Sequence, residues 1–496
     1  MGKIQYKQLI YWFLLGCVFL FGIYIRTKLY ITNGIFEDDE CRLALSMRAR
    51  HLYQMFLPLG ALSAAPIFMF VSKIIGFFSN YNEYALKFIP YIASIISIFY
   101  FYKLCNSYFN RKISVLLGVY FLTINKSILY FSSVFKQYSI EYLFTILCLY
   151  YFPKLDIGNL KIKQTLILAI ILSILPMISL PTLYFIGVFF LINLFQNFKN
   201  KDFYKKFAII ITPFIIVLLG YYIFNLHPTK ILQYIYYGST WKECAGMSFL
   251  QTAAIVLKLL FEPNMFILFF IILFISFGLF TIFKKSEYTK INIYLLSVPI
   301  IAVLSSMLNL YYIIIGRTAV FLIPLLILVM IRPVDIKFKN KIPTFIFSIL
   351  FFISFLAYFI PAYDMHINEV DTTFRNFAPD NLMQELKKRY NPETDIVIFT
   401  EPSTSSFLWY TLKYETNISN YMQMNVTVND TRENVFKLLN DLSPKKKYWF
   451  YLIKEYKKYS DRKYILEWAE SQNILYSKKD RDSYLLYISP TKKVMP

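Results

Sequence analysis

Apolar stretches of roughly 16–22 residues recur along this chain, each long enough for a helix to cross a ~30 Å hydrocarbon layer. Inside lipid a backbone must satisfy its own polar groups, so such stretches can only be helices or closed barrel strands, and these are too long for strands. Hydrophobic residues make up 57% of the sequence and aromatic residues 20%, well above a soluble domain. The fold class expected is a polytopic α-helical membrane protein. Spans are expected near 9–25, 86–102, 113–130, 138–153, 164–179, 181–196, 207–225, 262–283, 291–313, 318–331 and 342–360, about eleven transmembrane helices. The first is read as a retained span, because no small-residue cleavage site follows it.

The net charge of +22 would suit nucleic acid, but its placement argues otherwise. Lysines and arginines collect in alternate loops: Lys3 and Lys7, Lys103 with Arg111 and Lys112, Lys154 to Lys163, Lys199 to Lys206, Lys284 to Lys290, and Arg332 to Lys341. Over short loops this alternation marks the cytoplasmic side. It sets the N-terminus in the cytoplasm and the tail outside, with the bacterial inner membrane as the expected location. The excess charge is therefore topological and implies no nucleic-acid partner. The cysteines show no metal-like spacing; Cys41 and Cys244 both fall in outward loops, where a disulfide would fit.

Composition divides the chain into a membrane module, 1–361, and a polar tail, 362–496. The first outer loop, 26–85, includes an apolar stretch at 61–78 interrupted by Pro66, Lys73 and Gly76, which suits a helix lying in the interface. The tail reads as a small α/β domain. A helix opens at Pro379 and Asp380, strands are expected at 395–400, KYWFYLI, NILYS and SYLLYIS, and Asp430 with Glu433 forms a capping box.

The feature that spanning a bilayer does not require is FEDDECRLALSMRAR, 36–50, placed directly after the first span. On a helix starting near Asp38, residues Asp39, Arg42, Ser46 and Arg50 fall near one face, and Asp38 can meet Arg42 four residues on. A carboxylate beside guanidinium groups can take a proton from a hydroxyl while the arginines bind phosphate oxygens. A solvated, charge-rich loop is the bland alternative. Glu141, in the first turn of a span near Tyr138 and Lys136, is costly unless paired or facing a wet cavity; a site role and an ion pair with Lys136 both fit. Arg317, at a span mouth, fits either snorkelling to lipid phosphate or binding a substrate phosphate.

DECRLALSMR (39–48) resembles the first-outer-loop motif of GT-C fold glycosyltransferases of the protein O-mannosyltransferase and lipid A aminoarabinose transferase type, glycosyltransferase families 39 and 83. Three further stretches resemble that group in order: 57–90 with its proline, glycine and acidic layout, FKQYSIEYLF (135–144) and GRTAVFLIPLLIL (316–328). There are departures. Ser63, Ala64 and Ala65 stand where the aminoarabinose branch often has a lysine, Lys87 replaces an arginine, and Thr318 replaces an aromatic residue.

The resemblance implies a GT-C membrane module and an enzyme that transfers a sugar, with inversion, from a polyprenyl-phosphate-linked donor. The acceptor would be a lipid, glycan or protein hydroxyl at the extracytoplasmic face. It implies Asp39 as the catalytic carboxylate with Glu40 supporting it, and Arg42, Arg48 and Arg317 around the donor phosphate. Lys136 joins this phosphate set, and Asp38, Tyr138 and Glu141 complete the candidate site. No cofactor is required, although Asp39 can also serve as a ligand to a divalent cation. The competing class is a transporter or flippase for a lipid-linked or anionic substrate, which favours internal repeats and interrupted helices; the sequence shows no convincing repeat.

Overall fold

The computed structural model describes residues 3–59, 64–234, 247–261, 272, 275–279, 282, 289–308, 310–311, 316–335, 379–400, 404–424, 431–452, 461–480 and 483–491. The chain separates into two compact units. One comprises Met1–Thr32 and Arg50–His366; the other comprises Asn33–Ala49 and Ile367–Pro496.

The first unit is helical. Its elements are α1 (Lys3–Thr32), α3 (Pro66–Phe78), α4 (Glu83–Tyr108), α5 (Lys112–Ile124), α6 (Lys126–Phe131), α7 (Tyr138–Tyr151), α8 (Ile162–Ile178), α9 (Thr182–Asn197), α10 (Lys201–Tyr221), α11 (Phe249–Phe261), α12 (Thr289–Met307) and α13 (Ile323–Asp335); α2 belongs to the second unit. Five described helices are long and apolar enough to cross a membrane: Gln8–Thr32, Glu83–Tyr108, Lys201–Tyr234, Lys290–Met307 and Arg317–Asp335. Shorter apolar helices accompany them, including α3, α5, α8 and α9. At 1.5 Å per residue α3 is only about 20 Å long, short of a full crossing. The span expected at 342–360, and most of that at 262–283, lie outside the described residues.

The span expected at 113–130 is two helices. Asn125 sits between α5 and α6 in an extended conformation, and its side chain accepts the Ile128 N–H at 3.1 Å. That bond caps α6, which is why the helix restarts instead of continuing. The linker that follows, Ser132–Gln137, is buried throughout, and the Ser139 hydroxyl donates to the Phe131 carbonyl at 2.7 Å to close it. Irregular backbone inside a membrane unit persists only where protein or a wet cavity surrounds it.

Two arginines are buried among these helices. Arg26 on α1 is fully enclosed and donates to the Ser94 hydroxyl at 2.6 Å and to the carbonyls of Gly22 and Thr123 at 3.1 Å each. Its Nη2 has no hydrogen-bond partner among the described residues. Arg332 on α13 pairs with Asp335 at 3.3 Å, and Asp335 also accepts the Arg111 N–H at 2.8 Å, tying the start of α5 to the end of α13.

The second unit is an α/β domain to which residues 33–49 contribute a helix, α2 (Asp38–Ala49). The remaining elements are α14 (Pro379–Arg389), β1 (Asp395–Thr400), α15 (Thr404–Lys413), β2 (Tyr421–Met424), α16 (Arg432–Asn440), β3 (Lys447–Leu452), α17 (Asp461–Glu470), β4 (Asn473–Asp480) and β5 (Ser483–Ser489). Strand order is β2-β1-β3-β5-β4. β1 runs parallel to both β2 and β3, with Ile398 opposite Met422 and Phe450, while β5 is antiparallel to β3 and β4.

The alternation of β3 explains its central position. Tyr448, Phe450 and Leu452 enter a core with Ile398, Phe436 and Trp468, while Trp449 and Tyr451 are buried on the opposite face. A strand buried on both faces reads as a continuous apolar run, as this one does. Asp395, at the start of β1, is buried yet fully engaged. It accepts Trp449 Nε1 at 2.9 Å, the Tyr487 and Thr394 hydroxyls at 2.8 Å each, and the Asn391 N–H at 3.0 Å.

Four of the strands and the helices at Pro379 and Arg432 match the sequence expectation for the tail, whereas α15 and β2 were not anticipated. The cap of α16 differs as well: the Thr431 hydroxyl accepts the Asn434 N–H at 3.4 Å, and Asp430 lies outside the described residues.

Candidate functional site

The acidic cluster opens α2. The Cys41 N–H bonds to the Glu37 carbonyl at 2.8 Å, which makes Glu37 the cap and places Asp38, Asp39 and Glu40 in the first turn. Asp39 and Glu40 there interact favourably with the helix dipole, which offsets their mutual repulsion. Glu40 is buried, and its Oε2 accepts the Glu37 N–H at 2.9 Å. This is the return arm of a capping box, so one oxygen of Glu40 is committed to starting the helix. Asp39 is half-buried, and Arg42 and Arg48 are exposed.

One side of α2 is apolar: Cys41, Ala44 and Met47 are fully buried, at the spacing of a helical stripe. Arg42 Nε donates to the Ser405 hydroxyl of α15 at 3.1 Å. The helix ends at Ala49, so Arg50 lies beyond the face on which the period had put it. Its Nη1 donates instead to the Pro58 carbonyl at 2.6 Å within the membrane unit. The Cys41 thiol sits 3.8 Å from the Phe36 carbonyl, and Cys244 lies outside the described residues.

A second group of candidates meets inside the membrane unit. Lys136 closes the buried linker, and Tyr138 and Glu141 open α7. The 3₁₀ segment Gly316–Leu322, which carries the half-buried Arg317, packs against α7. Glu141 is buried; the Gln137 side chain bonds to it, and its Oε2 has no hydrogen-bond partner among the described residues.

Sequence reasoning missed the tyrosines around this carboxylate. Tyr221 of α10 and Tyr311 lie near enough to interact electrostatically with Glu141. Tyr311 packs edge-on to Tyr184 of α9, with ring centroids 6.1 Å apart, and the Tyr184 hydroxyl shares a 2.6 Å hydrogen bond with Ser305. In a sequence so rich in tyrosine, nothing marked these out from the tyrosines that face lipid.

Lys136, Tyr138, Glu141 and Arg317 thus sit on adjoining elements of one unit, and Asp38, Asp39, Glu40, Arg42 and Arg48 share one helix of the other. Among the described residues no group of three or more His, Cys, Asp or Glu side chains is arranged to hold a metal ion.

No protein-family model matches this sequence, and no curated protein matches it. Solved structures do match its fold. ArnT from Cupriavidus metallidurans bound to undecaprenyl phosphate aligns over 95% of this chain and 98% of its own, at 10% identity and a TM-score of 0.52. The archaeal oligosaccharyltransferase AglB from Archaeoglobus fulgidus, in complex with an inhibitory peptide and a dolichol-phosphate, aligns over 83% of this chain at 13% identity and a TM-score of 0.45; this chain spans 61% of the AglB chain. The end-to-end alignment with ArnT shows a shared fold.

Proposed function

We propose that this chain is an integral-membrane glycosyltransferase that moves a sugar from a polyprenyl-phosphate carrier to a hydroxyl acceptor at the extracytoplasmic face of a bacterial inner membrane. The observation that carries the reading is the position of α2. In a GT-C fold aligned end to end with ArnT, a helix opening on Asp38, Asp39 and Glu40 follows directly after the first span.

In this reading Asp39 accepts the proton of the acceptor hydroxyl. The acceptor oxygen attacks the anomeric carbon, the bond to the carrier phosphate breaks, and the polyprenyl phosphate leaves with the bonding electrons. A single displacement inverts the anomeric centre. Glu40, whose Oε2 accepts the Glu37 N–H, is proposed to support it by fixing the first turn of α2. Arg42 and Arg48 on α2, and Arg317 and Lys136 in the membrane unit, are the cations proposed to stabilise the charge that develops on the phosphate. Glu141 and Tyr138 are proposed to orient polar groups of the donor. The acceptor is a lipid, glycan or protein hydroxyl.

The direct test is the full chain in lipid nanodiscs, supplied with polyprenyl-phosphate sugars and analysed by mass spectrometry for a new glycosidic bond. The second reading is a transporter or flippase, favoured by buried Glu141, whose Oε2 has no hydrogen-bond partner among the described residues, since intramembrane acids often mark a substrate path. Substrate crossing liposomes with no new bond would establish that reading instead.

A further inference from the structure

We propose that the helix carrying Asp39 is held in its working orientation by α15 of the C-terminal domain, and that Ser405, Trp409 and Tyr410 are positioning residues for transfer. The proposal rests on the glycosyltransferase reading above and gives the tail a role in the reaction.

Residues 33–49 form one compact unit with Ile367–Pro496, although the whole membrane module intervenes in sequence. α2 packs on α15. The Phe36 N–H, just ahead of α2, donates to the Tyr410 hydroxyl at 3.1 Å. The Phe36 ring lies 5.3 Å from that of Trp409, and both are fully buried. A turn beyond the acidic residues, Arg42 Nε donates to Ser405 at 3.1 Å. Asp39 is therefore bracketed between two fixed points, and two points set both the tilt of a helix and its rotation about its own axis.

α15 is in turn fastened to the sheet. Phe407 stacks on Phe399 of β1 with centroids 4.3 Å apart and packs edge-on to Tyr451 of β3 at 5.6 Å. A 12-residue helix is at the limit of stability when isolated in water, whereas a reacting group must be held to within about 0.5 Å and 10–20°. The sheet, acting through α15, supplies what α2 lacks. The same contact bears on Arg42: an acceptor at Nε fixes the plane of the guanidinium, which bidentate recognition of phosphate requires.

The test uses the full-length protein in nanodiscs. Tyr410→Phe keeps the ring and removes the acceptor for Phe36, Ser405→Ala removes the acceptor for Arg42, and Ser405→Thr retains a hydroxyl. Both removals should lower kcat about tenfold or more, as small misplacements of reacting groups do, with the KM for donor and acceptor nearly unchanged. Ser405→Thr should keep most of the wild-type rate. Hydrogen exchange across 36–47 should quicken in both removals while β1 and β3 keep their protection. Wild-type kcat in both removals, or unchanged exchange across 36–47, overturns the proposal. If the wild-type chain formed no new glycosidic bond, the transferase reading would fall, while the exchange measurement would still decide whether α15 orders α2.

Discussion

The Glu40 carboxylate and the Glu37 N–H close on each other at 2.9 Å across the first turn of α2, so two neighbours in one acidic run do different work. Glu40 starts the helix that carries Asp39, the proposed base. Glu40→Ala should destabilise this turn by about 1 kcal/mol, the scale of a lost helix cap. Glu40→Gln keeps an oxygen acceptor and should retain most of that stability. Thermal unfolding of the two full-length variants, followed with hydrogen exchange over 36–47, checks the difference.

Asp39→Asn should abolish transfer while expression and unfolding temperature stay at wild-type values. Loss of a general base costs about 10²–10⁴ in rate. Turnover of a polyprenyl-phosphate sugar by the purified variant is the measurement, and a normal rate would sink the assignment of Asp39.

Arg317→Ala should act chiefly through the donor. A phosphate ligand removed from the segment packed on α7 raises the KM for the lipid-linked sugar more than it lowers kcat. If Arg317 only snorkels to bulk lipid phosphate, donor kinetics will not change.

Glu141→Gln should raise stability and lower transfer together. The buried Oε2 of Glu141 has no hydrogen-bond partner among the described residues, and leaving a buried polar group unsatisfied costs about 1–3 kcal/mol, more for a charged one. A neutral amide of the same shape relieves part of that cost. Retention of such a carboxylate in a packed interior is the signature of a site whose stability is traded for function. Thermal unfolding and donor turnover, read side by side, test both halves.

Asp395→Ala should unfold the tail, because it strands the donors of Trp449, Tyr487 and Thr394 that now converge on one carboxylate. Burial, with Asp395 alongside, pushes the Tyr487 hydroxyl above its ordinary value of 10.0. The folded pKa is raised, so this contribution is whole below pH 10.0 and is lost as pH rises through the folded value. Tyrosinate absorbance during an alkaline titration should show Tyr487 ionising after the exposed tyrosines.

The membrane helices and most of the tail strands were legible in the sequence because apolar runs and period-two alternation are local signals. The helix at Asp38 was legible too, from its acidic first turn. Its partner was not, since Arg42 and Ser405 stand 363 residues apart and neither carries a local mark of the other. The break at Asn125 was hidden in the same way: one capping side chain interrupts an apolar run without changing its hydropathy. α15 was passed over because TSSFLWYTLK mixes hydroxyl, aromatic and β-branched residues that suit strands as well as helices.

Arg26 bears on how the molecule is made. As a nascent segment α1 would hold a guanidinium with only the Gly22 carbonyl of its own helix to receive it, against a cost of up to about 2.5–3.5 kcal/mol on insertion scales. Two of its three acceptors, the Ser94 hydroxyl and the Thr123 carbonyl, emerge from the ribosome only with α4 and α5. The first span is thus completed by later ones, and biogenesis should stall, with α1 open to proteolysis or retained by the insertion machinery, in any chain truncated before residue 123.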